Sequence, residues 1–248
     1  MCASGNAVQL EPLPGKVHFT INPRRLALWL GLPAVFFLLV HPVVLALQNV
    51  WGIHSRWIRV LIIDREQSLP SLYGLIQFMT CVALLAVMVQ RSRGDRAQFL
   101  FWLGILVAFS FATMDDFLSL HERWTLALRK ANRCVPYSAW CVPWGLGVAV
   151  LVPLYLRFIF RLPRATRSGF VLACLSFLSG ALVAETVSGL HARRFGKDDL
   201  YCYLMVPIKE FLEMAGLAIF IYALARHIAV ELGSPEIRIG PPQRPQAS

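Results

Sequence analysis

The stretch GFVLACLSFLSGALVAETVSGL, Gly169 to Leu190, carries a single charged side chain, Glu185, in a run long enough to cross a bilayer. A hydrocarbon core of about 30 Å needs roughly 20 helical residues at about 1.5 Å each. Backbone groups in lipid must be satisfied within their own segment, so the stretch is expected to be an α-helix. Five other stretches read the same way: Leu26 to Leu47, Leu72 to Val89, Ala97 to Leu118, Pro143 to Phe160 and Tyr203 to Ala225. Together they predict an all-α integral membrane protein, with one domain of six transmembrane helices over residues 26–229. Residues 1–25 are expected to form a polar N-terminal segment without the n-region and h-region of a cleavable signal. Residues 230–248, with Pro235, Pro241, Pro242 and Pro245, read as a flexible Pro-rich tail.

Composition agrees with a membrane setting. Hydrophobic residues make up 57% of the 248 and charged residues 15%, with a mean hydropathy of +0.58; soluble domains are nearer a quarter charged. A formal charge of +10 invites a nucleic-acid reading. The Lys and Arg residues, however, lie in short runs between apolar stretches, as the positive-inside rule and headgroup contact require, so no nucleic-acid partner is expected. Six spans place both termini on one side, taken as cytoplasmic, together with the loops Gln90 to Arg96 and Arg161 to Ser168. The bacterial inner membrane is the expected location. Of the fourteen acidic residues, only Glu11, Asp95, Glu231 and Glu236 fall on that side. Acids count little for topology, so their gathering on the other side calls for a different explanation.

Ionisable groups inside membrane segments are expensive and mark functional sites by default. Three clusters qualify: Asp115-Asp116 with His121-Glu122, Glu185, and Glu210 with Glu213. At about 1.5 Å per residue, Asp115 lies roughly 27 Å along the third span and Glu185 roughly 24 Å along the fifth. Glu210 and Glu213 lie about 10 to 15 Å below the outer end of the sixth, and His41 roughly 22 Å along the first. Distant helices thus bring costly residues to one outward-facing layer. Asp115, Ser119 and Glu122 share a helix face, as do Glu210 and Glu213, whereas Asp116 and His121 point away unless the helix stops before His121.

The segments DREQSLP (Asp64 to Pro70), FATMDDFLSLHE (Phe111 to Glu122), AETVSG (Ala184 to Gly189) and KEFLEMAG (Lys209 to Gly216) occur in that order. Together they resemble an uncharacterised family of multi-spanning bacterial membrane proteins with DExxxxxHE-like and ExxLEMxG-like helices. The chain departs from that pattern at Asp116, in place of Glu, and at Lys209, in place of a second acid. The resemblance implies no established activity. It does imply that Glu66, Asp115, His121, Glu122, Glu185, Glu210 and Glu213 belong together.

Three functions fit such a layer. Carboxylates and imidazole presented inward from several helices suit a divalent metal, Zn, Fe or Mn. The ligands would be Asp115, His121, Glu122, Glu185, Glu210 and Glu213. Metal-bound water attacking a lipid-linked substrate would follow, with Asp115, Glu122, Glu185, Glu210 and Glu213 as catalytic carboxylates. No Glu-x-x-His pair is present, however. The second function is a non-catalytic accessory or assembly subunit of a membrane complex, in which pairs such as Asp115 with Arg123 or Glu213 with Lys209 fix packing. The third is a proton or ion pathway. The expected partners are the bilayer and, according to the function, a lipid-linked substrate or another membrane protein.

Other residues carry smaller expectations. His41 precedes Pro42 and reads more readily as a structural donor than as a ligand. His54 and His191 are expected to be solvated in outer loops, while His18 and His227 fall on the inner side. Ser119 and Ser188 read as packing hydroxyls rather than nucleophiles. Cys134, Cys141 and Cys202 all fall outside, where a disulfide of Cys134 with Cys141, or of either with Cys202, competes with free thiols. Trp51, Trp57, Trp124, Trp140 and Trp144 suit an interfacial belt, and Trp57 to Ile63 an interfacial segment.

Overall fold

The computed structural model describes residues 19–21, 23–49, 51–53, 55, 60–61, 68–132, 135, 138–196, 199–231 and 237–239. Their helices are α1 (Pro23–Asn49), α2 (Leu69–Arg91), α3 (Arg96–Leu118), α4 (Leu120–Ala131), α5 (Cys141–Ile159), α6 (Arg164–Leu178), α7 (Glu185–Phe195) and α8 (Leu200–Glu231). A π-helical segment, Ser179–Ala184, joins α6 to α7 without a break. Local signals explain the boundaries. Ser68 accepts the Ser71 N–H and Pro70 sits in the first turn of α2, a position where its missing N–H costs nothing. Asp95 accepts the Ala97 and Gln98 N–H groups at 2.9 and 3.3 Å and starts α3.

Five of these units are long and apolar enough to cross a membrane: α1, α2, α3, α5, and α6 through α7 taken as one. The expected sixth span, Tyr203 to Ala225, lies in α8 but is not one of the five. Instead α8 is the centre of the bundle. Its Leu217, Ile221, Leu224, Ala225 and Ile228 are buried under α6, α1 and α2. Outward faces are apolar instead, with Leu32, Phe36 and Leu39 exposed on α1 and Leu146, Val150 and Leu154 on α5. An apolar exterior of that extent would be an interaction or aggregation surface in water, and it is compatible with a membrane protein.

Small residues bring α6 and α8 together. Gly216 backs directly onto Phe177 and Ala173, and Gly169 onto Ala223, as close helix contacts in lipid require. A polar knot ties three helices. Gln77 Nε2 donates to the carbonyls of Leu30 at 3.2 Å and Met214 at 3.1 Å, and the Tyr73 hydroxyl donates to the same Leu30 carbonyl.

A short two-stranded sheet joins the chain ends. Phe19–Ile21 in the N-terminal segment pairs antiparallel with Ile237–Ile239 in the tail expected to be flexible. The alternation of Ile237 and Ile239 about Arg238 suits a strand, a pattern that counting prolines overlooks. Val230 and Glu231 belong to the end of α8, while residues 232–236 and 240–248, Trp57 and most of the Trp57 to Ile63 run lie outside the described residues.

Candidate functional site

The polar layer is built on two departures from regular helix. The first is Ser119, which closes α3 with φ 49° and ψ 42°, the only non-glycine residue at positive φ among the described residues. An L-residue there costs roughly 1–2 kcal/mol, and the turn reverses the phase that a continuous helix would impose. His121 swings back so that its Nδ1 lies 2.8 Å from Asp115 Oδ2, with the Asp115 side chain nearly buried. Trp140 covers the imidazole at a centroid distance of 4.8 Å. The expected face of Asp115, Ser119 and Glu122 is therefore broken. Glu122 stands exposed on α4 and Asp116 exposed on α3, and Asp115 pairs with His121 rather than Arg123.

The second departure is the π-helical segment that ends at Ala184, immediately before Glu185. Such bulges insert a residue and frequently sit at functional sites. Here the bulge aims Glu185 at α8, where Lys209 Nζ lies 2.8 Å from Glu185 Oε2 and 3.8 Å from Glu210 Oε1. Glu213 joins the group electrostatically, with Glu210, Lys209, Glu185 and Asp116 as its charged neighbours. Its side chain runs against Gly180 of the bulge. The fifth and sixth predicted spans thus meet at Lys209, and Asp116 of α3 acts on Glu213 only electrostatically. Glu66 lies outside the described residues.

The six-ligand metal set Asp115, His121, Glu122, Glu185, Glu210 and Glu213 is not assembled. Among the described residues, no three His, Cys, Asp or Glu side chains stand together as ligands of one ion would. The Lys209 ammonium occupies the position between Glu185 and Glu210 that a cation would take, while Asp115 and His121 satisfy each other.

Cys141, just before the fourth predicted span, stands against the layer. Cys141 opens α5, is buried, and directs its Sγ at the Ala181 carbonyl of the bulge at 3.9 Å. The Thr186 side chain hydrogen-bonds it, and Glu185, Lys209 and Glu213 are its charged neighbours. It belongs to the layer, and nothing in its loop-like flanking sequence signals that. Cys141 and Cys202 are not joined to each other; Cys134 lies outside the described residues.

His191, expected to be solvated, lies 2.6 Å from Asp199 Oδ2 and packs on Tyr201 and Phe195 with centroids at 4.3 and 4.7 Å. The hydrogen bond from His191 holds the Asp199 carboxyl below the usual aspartate range. A depressed carboxylate stabilises the fold above its unfolded value of about 3.9, and that contribution disappears as pH falls through the lower folded value. Asp199→Asn should therefore lower the thermal unfolding temperature at pH 6, with the difference from wild type shrinking steadily below about pH 4. A difference that persists unchanged at pH 3 would show that the His191 bond is not what Asp199 contributes.

Buried polar groups also lie elsewhere, His227 and Ser188 among them. His227 is buried beside Thr166 Oγ1 at 3.4 Å and Trp102 at a 5.7 Å centroid distance. Ser188 Oγ is buried one turn beyond Glu185, without a hydrogen-bond partner among the described residues.

No curated protein and no solved structure matches the chain. The family model of a domain of unknown function, DUF8692, matches residues 24–228, and the chain belongs to that family.

Proposed function

We propose that the chain is a multi-pass protein of the bacterial inner membrane in which α8 is a sixth, central span, both termini are cytoplasmic, and the polar layer moves protons. The observation that carries this reading is the gathering of Glu185, Glu210 and Glu213 around Lys209 inside apolar helices. Several carboxylates around one ammonium in a low dielectric favour states in which a carboxylate holds a proton, and intramembrane carboxylates are the usual proton carriers. The Asp115–His121 pair extends the chain of exchangeable groups toward the outer end of α3. A 32-residue helix of about 48 Å is ample for a span, and its covered position explains its mixed polarity.

The test uses the full chain reconstituted in liposomes with an internal pH dye and an imposed potential. Wild type should pass protons, and Glu213→Gln should lower the rate by at least about tenfold. Absence of wild-type flux removes this reading. The alternative of an accessory subunit is favoured by one observation, that Lys209 to Glu185 staples α8 to α7. It predicts that Glu213→Gln alters stability and leaves no flux to lose.

A further inference from the structure

His41 is 1% exposed, in the middle of an apolar helix. It lies in the stripe Leu30, Ala34, Phe37, His41 and Val44, the buried side of α1, at helical spacing. That side packs chiefly on α8. The two helices are antiparallel, since the strand before α1 pairs with the strand after α8. Their register is set where Ala34 and Phe37 share a buried cluster with Met214, against which Val206 and Phe211 also pack. One turn beyond Phe37 on α1 is His41. One turn before Met214 on α8, on the same face, is Glu210, and the buried Pro207 follows a turn earlier.

We infer that His41 is the imidazole of this layer on the α1 side and exchanges a proton with Glu210. The inference rests on the proton-moving reading and adds a residue and a helix to it. Among the described residues, the register places Lys209 and Glu210 of α8 nearest this position, and Tyr73 of α2 packs against the cluster one turn away. In the step, an imidazolium N–H bond breaks and a carboxyl O–H bond forms, so the +1 and −1 charges become a neutral pair. The reverse transfer restores them. Such a neutral state is cheap in lipid, which makes the pair suited to passing a proton without leaving a bare charge. Pro42, immediately after His41, removes a helix N–H and leaves the Leu38 carbonyl without its usual donor, keeping this part of α1 polar.

The experiment compares wild type, His41→Gln, His41→Glu, Glu210→His and the exchanged pair His41→Glu with Glu210→His, all as full chains in dye-loaded liposomes. Each single substitution should lower proton flux by at least about tenfold, and the exchanged pair should recover most of it. In parallel, His41→Cys with Glu210→Cys, in a chain whose native cysteines are replaced by Ser or Ala, should form a disulfide under oxidant. His41→Cys with Glu213→Cys should not, because bridging needs Cα atoms within about 7 Å. Wild-type flux that persists at full rate in His41→Gln overturns this inference alone, as does a cross-link at position 213 and not at 210. Absence of flux in wild type overturns the proton-moving reading and this inference together.

Discussion

Lys209→Met is expected to be the most damaging single substitution in the chain, costing about 3–5 kcal/mol, because it leaves carboxylates in apolar surroundings without their counter-charge. The Lys209 side chain is 17% exposed and that of Glu185 19%, and their contact at 2.8 Å is a charge-assisted hydrogen bond rather than a surface pairing. The reverse bookkeeping sharpens the test. Removing both partners, Lys209→Met with Glu185→Leu, takes away the ion pair without leaving one member alone, and such double replacements are often neutral or even stabilising. Thermal unfolding of the purified chain in detergent should therefore show a large drop for the single variant and substantial recovery for the double one. A single variant that unfolds within a degree or two of wild type would mean that the pair is solvated and that the layer is not a low-dielectric site.

The pair also shows what the sequence could and could not reveal. Apolar runs of about 20 residues mark helices because backbone polarity leaves lipid no alternative, and each predicted span lies inside or closely overlaps an observed helical unit. Glu185, Glu210 and Glu213 stood out because charge in such runs is costly. Their meeting was legible from depth alone. What depth cannot supply is phase. An ideal helix from Asp115 onward turns His121 away, yet Ser119 in the left-handed region brings it back to Asp115. Serine is not a residue whose presence announces positive φ. Likewise the π-helical insertion before Glu185 has no sequence signature, although it sets which residue faces Lys209. Lys209 read as a departure from a pattern and proves to be the centre of the charges. Cys141 fell outside the predicted span because helix α5 begins two residues before it, at a turn that tucks the thiol under the bulge. The central role of α8 was hidden for a related reason: hydropathy measures how apolar a helix is, not whether lipid or protein covers it.

Gly180 and Gly216 provide the second large effect, and they separate packing from chemistry. A Cβ at Gly180 would stand 2.5 Å from the Lys209 carbonyl, 2.9 Å from Glu213 Cγ and 3.1 Å from Leu212 Cβ. At Gly216 it would stand 2.7 Å from the Phe177 backbone nitrogen and 2.9 Å from the Ala173 carbonyl. Backbone cannot swing aside as a side-chain tip can, so Gly180→Val and Gly216→Val must each push α8 away from the α6–α7 unit. Overpacking of this kind costs about 1–3 kcal/mol. Gly145→Val on α5, where nothing lies within 4 Å of the added carbon, should leave unfolding nearly unchanged and serves as the comparison. The two damaging variants should differ in proton flux. Gly180 sits in the bulge that aims Glu185 at Lys209, so displacement there lengthens the 2.8 Å contact and flux should fall more steeply than stability. Gly216 lies almost two turns farther along α8 from Lys209, where displacement loosens apolar packing against Phe177, and flux should fall only in step with stability. Unfolding temperature and liposome flux measured on the same three preparations decide the matter. If Gly180→Val and Gly216→Val lose flux equally at equal stability, the geometry between bulge and lysine is not what the layer depends on.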